Sequence, residues 1–223
     1  MLGSDHTLLL ALSVGSVLCI LVSYSVYVYQ LRTDALDKSL KQKMKPDPTG
    51  WLVSCLVLTA NCVVQLAIGA TWWSLSTVAA QALGSFVIML MSIRNGGWQF
   101  GKTDFVAIVI AVVALSCAQL FDEAGLGTVL TLVADGAGMF LIIRNAACIP
   151  GADRPLAWII SILAGPPAIA ATVLAGGGVM LLLSPIYLMT VDVLVLVAIW
   201  SQRWKRHDVP MATPAATTVP ASA

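Results

Sequence analysis

Residues 27–51 read YVYQLRTDALDKSLKQKMKPDPTGW. An apolar run ends in aromatics, a polar gap carries Arg32, Lys38, Lys41, Lys43 and Lys45, and Pro48 stands three residues before Trp51 as the next apolar run begins. Short loops rich in Lys and Arg stay on the cytoplasmic side of a membrane. The rest of the chain obeys the parity that this gap sets. Arg94 and Lys102 occupy the third gap between apolar runs, Arg144 and Arg154 the fifth, and Arg203, Lys205 and Arg206 follow the last run, which accounts for all twelve basic residues. The alternate gaps carry only acids or no charge: Asp5 before the first run, Asp122 and Glu123 in the fourth gap, and glycines in the sixth.

Composition agrees. The chain is 59% hydrophobic and 10% charged, whereas soluble domains average about 25% charged residues. A span needs about 20 mostly apolar residues, and seven stretches qualify: Thr7 to Tyr29, Gly50 to Ile68, Trp72 to Ile93, Phe105 to Phe121, Leu126 to Ile143, Leu156 to Leu174 and Val179 to Trp200. The expected fold is an all-α membrane protein of seven transmembrane helices, N-terminus out and C-terminus in. The first stretch lacks a basic leader and a small-residue cleavage site, so it reads as a retained span. Trp51, Trp72, Trp73, Trp158, Trp200 and Trp204 fall at span ends, as an interfacial aromatic belt requires. The five cysteines suggest no disulfide framework.

The two halves repeat each other weakly. Tyr27-Val28-Tyr29-Gln30-Leu31-Arg32 answers to Phe140-Leu141-Ile142-Ile143-Arg144, and Pro48-Thr49-Gly50-Trp51 to Pro155-Leu156-Ala157-Trp158. Ser54 and Ser161 each follow their Trp by three residues, and Ser92-Ile93-Arg94 answers to Ser201-Gln202-Arg203. The expected organisation is a three-helix repeat over 7–93, a linker helix over 105–121, a second three-helix repeat over 126–200, and a disordered cytoplasmic tail over 207–223. An odd linker gives both triplets the same orientation, and parallel repeats of this kind place a site at the midplane between them.

In these features the chain resembles the SWEET and PQ-loop superfamily of seven-helix carriers, including bacterial half-size members and the PnuC vitamin transporters. The run Lys45-Pro46-Asp47-Pro48-Thr49-Gly50-Trp51 is similar to that of an uncharacterised bacterial SWEET-like group. The resemblance implies a bacterial cytoplasmic membrane protein that moves a small solute by alternating access. It also implies that polar residues midway along the third helix of each triplet, here Gln81 and Asp192, contact substrate. The family's Pro-Gln dipeptide is missing from both halves, where Tyr29-Gln30 and Ile142-Ile143 stand instead. Pro48 and Pro155 are the residues that answer to its hinge prolines.

Asp135 and Asp192 are the acids deep within spans. Asp135 stands nine residues before Arg144, about 13 Å along a helix, and Asp192 stands at similar depth before Arg203. Each costs about 2.5 to 3.5 kcal/mol at the membrane centre, so it needs a cavity, a cation, a proton or a polar neighbour. Either they anchor substrate in a central pocket or they bond helices together. Gly136 and Gly138 beside Asp135 loosen the helix and bare its carbonyls. Asn61 and Gln65 share one helix face, as do Gln81 and Ser85; these four join the two acids as candidate substrate-binding residues, with packing between helices as the other reading.

Other chemistry finds no support. Gly96-Gly97-Trp98-Gln99-Phe100-Gly101-Lys102-Thr103 satisfies the phosphate-loop pattern, but it sits in a short turn between membrane spans instead of between a parallel strand and a helix, and Lys102 reads as a topology anchor. His6 and His207 lie outside the spans on opposite sides, which leaves no metal site and no Ser-His-Asp set. The last span has no Lys to hold a retinal. The expectation is a carrier and not an enzyme, without metal or cofactor and without a nucleic-acid partner, for a sugar, polyol or vitamin-like molecule; homo-oligomerisation stays open. The alternative is a non-transporting membrane interaction or accessory protein.

Overall fold

Where the chain leaves the first two basic gaps, polar side chains start the next helix. The Asp47 carboxylate accepts the amides of Thr49 and Gly50, at 2.9 and 3.3 Å, satisfying donors that have no partner within the first turn. Pro48 and Pro155 are the first residues of their helices, where a missing N–H costs nothing. Asp104 reaches back to the Gly101 amide at 2.6 Å, one half of a capping box.

The resulting helices, in a computed structural model that describes residues 2–37, 43–67, 72–96, 98, 100–120, 124–176 and 178–207, are α1 (Leu2–Leu36), α2 (Pro48–Ala67), α3 (Trp72–Gly96), α4 (Lys102–Leu120), α5 (Ala124–Cys148), α6 (Pro155–Leu174) and α7 (Val179–His207). Among the described residues there is no strand. Residues 208–223, most of the expected tail, lie outside the described residues, as do Asp122 and Glu123. Among the described residues six helices, all except α4, are long and apolar enough to cross a membrane, which marks the chain as a multi-pass membrane protein. Their outer faces carry large exposed apolar side chains such as Leu18, Val63, Leu83 and Leu163. Such a surface suits lipid and not water.

The helices pack by a rule that respects the two halves. Helix α1 packs on α3 and α6, α5 packs on α7 and α2, and α2 pairs with α3 as α6 pairs with α7. Exchanging α1, α2 and α3 for α5, α6 and α7 maps these pairs onto one another. A slight contact between α3 and α6 is the one departure among these six helices. Helix α4 packs on α5 and, less extensively, on α2, through a stripe of buried Ala107, Ala111, Ala114 and Ala118. Small residues at such a spacing let helices approach closely in lipid.

Three basic gaps meet at one end. The Lys45 amide donates to Ala152 O at 3.1 Å, Asn145 Nδ2 donates to Lys45 O at 2.6 Å, and Trp98 Nε1 donates to Thr49 Oγ1 at 2.8 Å. Arg154 forks onto Asp34 at 2.8 Å, tying the end of α1 to the start of α6.

Candidate functional site

Between the two sets of helices lies a cavity of about 40 Å³, room for about three waters at 10 to 15 Å³ each. Both deep acids line it, Asp135 from α5 and Asp192 from α7. Ser23 and Tyr24 of α1, Ser54 of α2 and Ser161 of α6 contribute polar groups, and Gln81 and Ser85 come from α3. No Lys, Arg or His is among the lining residues.

The two acids are served differently. Ser161 Oγ donates to Asp192 Oδ2 at 2.6 Å, a short charge-assisted or acid hydrogen bond. Ser54 and Tyr187 face the Asp135 carboxyl. Yet Asp135 Oδ1, Ser54 Oγ and Tyr187 OH are each buried without a partner at hydrogen-bonding distance, and so is Gln81 Oε1. Buried polar groups in native proteins are satisfied in the great majority of cases, so a cluster of unmet ones calls for something polar between them. Tyr24 OH, by contrast, shares a 3.2 Å hydrogen bond with Ser85.

A second cavity of about 30 Å³ adjoins the first and shares Gln81, Ser161, Leu188 and Asp192 with it. Ser16, Thr77, Ala168 and Pro185 line its far part, toward the ends of the helices opposite the basic gaps. The acid at Asp192 thus stands at a waist between two chambers in line. Pro166 and Pro167 interrupt the backbone ladder of α6, and Pro185 that of α7, both beside this second chamber.

Toward the basic end the first chamber is roofed by aromatics. Trp51 and Trp158 stack with centroids 5.9 Å apart, and Tyr27 meets both edge-on, at 5.4 and 6.3 Å. These indoles are 4% and 5% exposed, so they belong to the protein core and not to a lipid-facing belt, whereas Trp200 is exposed. Trp158 Nε1 donates to Asp153 Oδ1 at 3.2 Å. Burial in this loop pushes the Asp153 carboxyl up to about 7, against the lowering that the facing Tyr27 and Trp158 groups exert. Neither Tyr27 OH nor Asp153 Oδ2 has a partner at hydrogen-bonding distance.

Of the residues singled out in the sequence, Asp135, Asp192, Gln81 and Ser85 come together at this cavity. Asn61 and Gln65 do not line it: Gln65 Nε2 donates to Asn61 Oδ1 at 3.3 Å, and both are buried farther along α2. Pro48 and Pro155 open helices instead of bending them. Gly138 serves close packing, since a methyl there would lie 2.9 Å from Val53 Cγ1 and one on Gly50 would lie 2.9 Å from Gly138 O. A methyl on Gly136 would meet Tyr187 OH at 3.5 Å, which puts Gly136 at the edge of the Asp135 cluster. Tyr24, Trp51, Trp158 and Tyr187 are added by the structure alone. The spacing of Trp51 to Ser54 and of Trp158 to Ser161, one helical turn in each half, was the available clue.

The phosphate-loop pattern is spent on structure: Gly101 gives its amide to Asp104, Trp98 bonds Thr49, and Lys102 begins α4. Among the described residues, no group of three or more His, Cys, Asp or Glu stands ready to hold a metal ion. No protein-family model, no curated protein and no solved structure matches this chain.

Proposed function

We propose that this chain is a membrane carrier for a small polar solute, working by alternating access at the chamber that holds Asp135 and Asp192. In this reading α1–α3 and α5–α7 are two parallel three-helix bundles joined by α4, with the basic ends in the cytoplasm, as in the SWEET and PQ-loop carriers that the sequence resembles. One observation carries it: two carboxyls deep in the apolar part of the chain face one cavity beside buried polar groups with no partner. Acids that only glued helices together would satisfy each other or their neighbours in dry contacts. The packing rule shared by the two halves supports the same reading, because a site between repeats lets either half rock against the other.

The experiment is uptake into proteoliposomes across a panel of sugars, polyols, vitamins and small amines, with Asp135→Asn and Asp192→Asn proteins alongside. At least one solute is expected to enter faster than into protein-free vesicles, and both substitutions to slow it. Entry of none of them would remove the carrier reading, and unchanged entry in both variants would remove the roles given to Asp135 and Asp192.

A further inference from the structure

The chamber's formal charge is one-sided. Two carboxyls face it and no Lys, Arg or His balances them, while its unpartnered groups include both the acceptors Asp135 Oδ1 and Gln81 Oε1 and the neutral donors Ser54 Oγ, Tyr27 OH and Trp51 Nε1. Asp135 is 3% exposed and Gln81 6%. These acceptors have no direct route to bulk water, and the hydroxyls of Ser54 and Tyr187 that face Asp135 stand beyond hydrogen-bonding distance, so a donor seated in the cavity completes the set. An anion would meet uncompensated repulsion there. A neutral polyol would supply donors but leave any ionised carboxyl without a counter-charge in a low-dielectric setting, which is the costly arrangement.

The rest of the lining suits a short apolar stem. Trp51 and Trp158 form one end of the chamber with Tyr24 and Tyr27 nearby, an apolar wall on the side away from the carboxyls. Size narrows the class. At about 40 Å³, the first chamber is the space of about three waters, which a molecule of about three or four heavy atoms fills.

We propose that the solute is a small primary ammonium, its charged head held by the two carboxyls and Gln81 and its short stem against the indoles. The proposal rests on the carrier reading and names its substrate class. Ethanolamine and ethylene glycol make the decisive pair, since they have the same number of heavy atoms and differ by replacing an ammonium with a hydroxyl.

Binding is read from tryptophan fluorescence of the purified protein, and transport from proteoliposome uptake, with methylammonium, ethanolamine, ethylene glycol and glucose. Ethanolamine is expected to bind at least about tenfold more tightly than ethylene glycol, the ratio that a hydrogen bond to a charged group supplies. Asp135→Asn, checked for folding by its melting curve, is expected to lower that ratio several-fold, and an unchanged ratio would overturn the role given to this carboxyl. Should ethylene glycol or glucose bind and enter as well as ethanolamine, the ammonium assignment fails while the carrier reading stands. Should no solute bind or enter, both fall.

Discussion

Trp51 of α2 and Trp158 of α6 stack 27° from parallel across the middle of the molecule, each standing three residues after the proline that opens its helix. The contact therefore joins equivalent positions of the two halves. Trp51→Ala and Trp158→Ala are each expected to cost about 3 to 5 kcal/mol of stability. The double variant should lose about 0.5 to 1.5 kcal/mol less than the sum, which is the share of the ring pair itself. Unfolding in mixed detergent measures all three; strict additivity would show that the stack contributes only burial.

Asp153 gives the basic end a pH response. Its carboxyl titrates at about 7 in the folded protein against an ordinary 3.8, so the folded state holds a proton that the unfolded chain gives up sooner. Its contribution to stability is complete below about pH 4 and is lost as pH rises through about 7. The melting temperature in detergent is expected to fall between pH 5 and pH 8, with a shallower fall in Asp153→Asn. An unchanged slope in the variant would place the response elsewhere.

The Arg154 fork on Asp34 differs at its two ends, Arg154 being 40% exposed and Asp34 6%. Asp34 Oδ2 also accepts the Met44 amide at 3.1 Å, so Asp34→Ala strands both a guanidinium and a backbone donor. It is expected to cost about 1 to 3 kcal/mol, and Arg154→Ala at least as much, since that change leaves the nearly buried Asp34 carboxylate without its counter-charge. A clearly smaller loss in Arg154→Ala would contradict this account.

Glycine positions offer a paired control. Gly138→Ala pushes a methyl to 2.9 Å from Val53 and 3.0 Å from Gly50 O, whereas Gly15→Ala meets nothing within 4 Å. The first is expected to destabilise by about 1 to 3 kcal/mol through overpacking. The second should stabilise by up to about 1 kcal/mol, the helix propensity gained. The two melting temperatures, read against the parent, decide it.

Helix positions were legible in the sequence because an apolar run bounded by charge has few alternatives: the expected span Leu156 to Leu174 is observed as Pro155–Leu174. Asp135 and Asp192 were legible because a carboxyl so far from any charge partner in sequence stands out. Direction around a helix was harder to read. Trp51 and Trp158 looked interfacial because depth along a helix does not say which way an indole points. Asn61 and Gln65 looked like site residues, but an i, i+4 amide pair satisfies itself. Pro166, Pro167 and Pro185 leave no mark on apolarity, so the missing backbone donors inside α6 and α7 passed unseen.

Those three prolines all belong to the second half of the chain, and no helix interior of the first half contains one. Backbone carbonyls one turn before each are left without their usual donor, so the cost of flexing is lowest in that half. The two halves, alike in which helices touch, thus differ in their backbone hydrogen bonding. In the carrier reading proposed above, the far ends of α6 and α7 would be the moving arm.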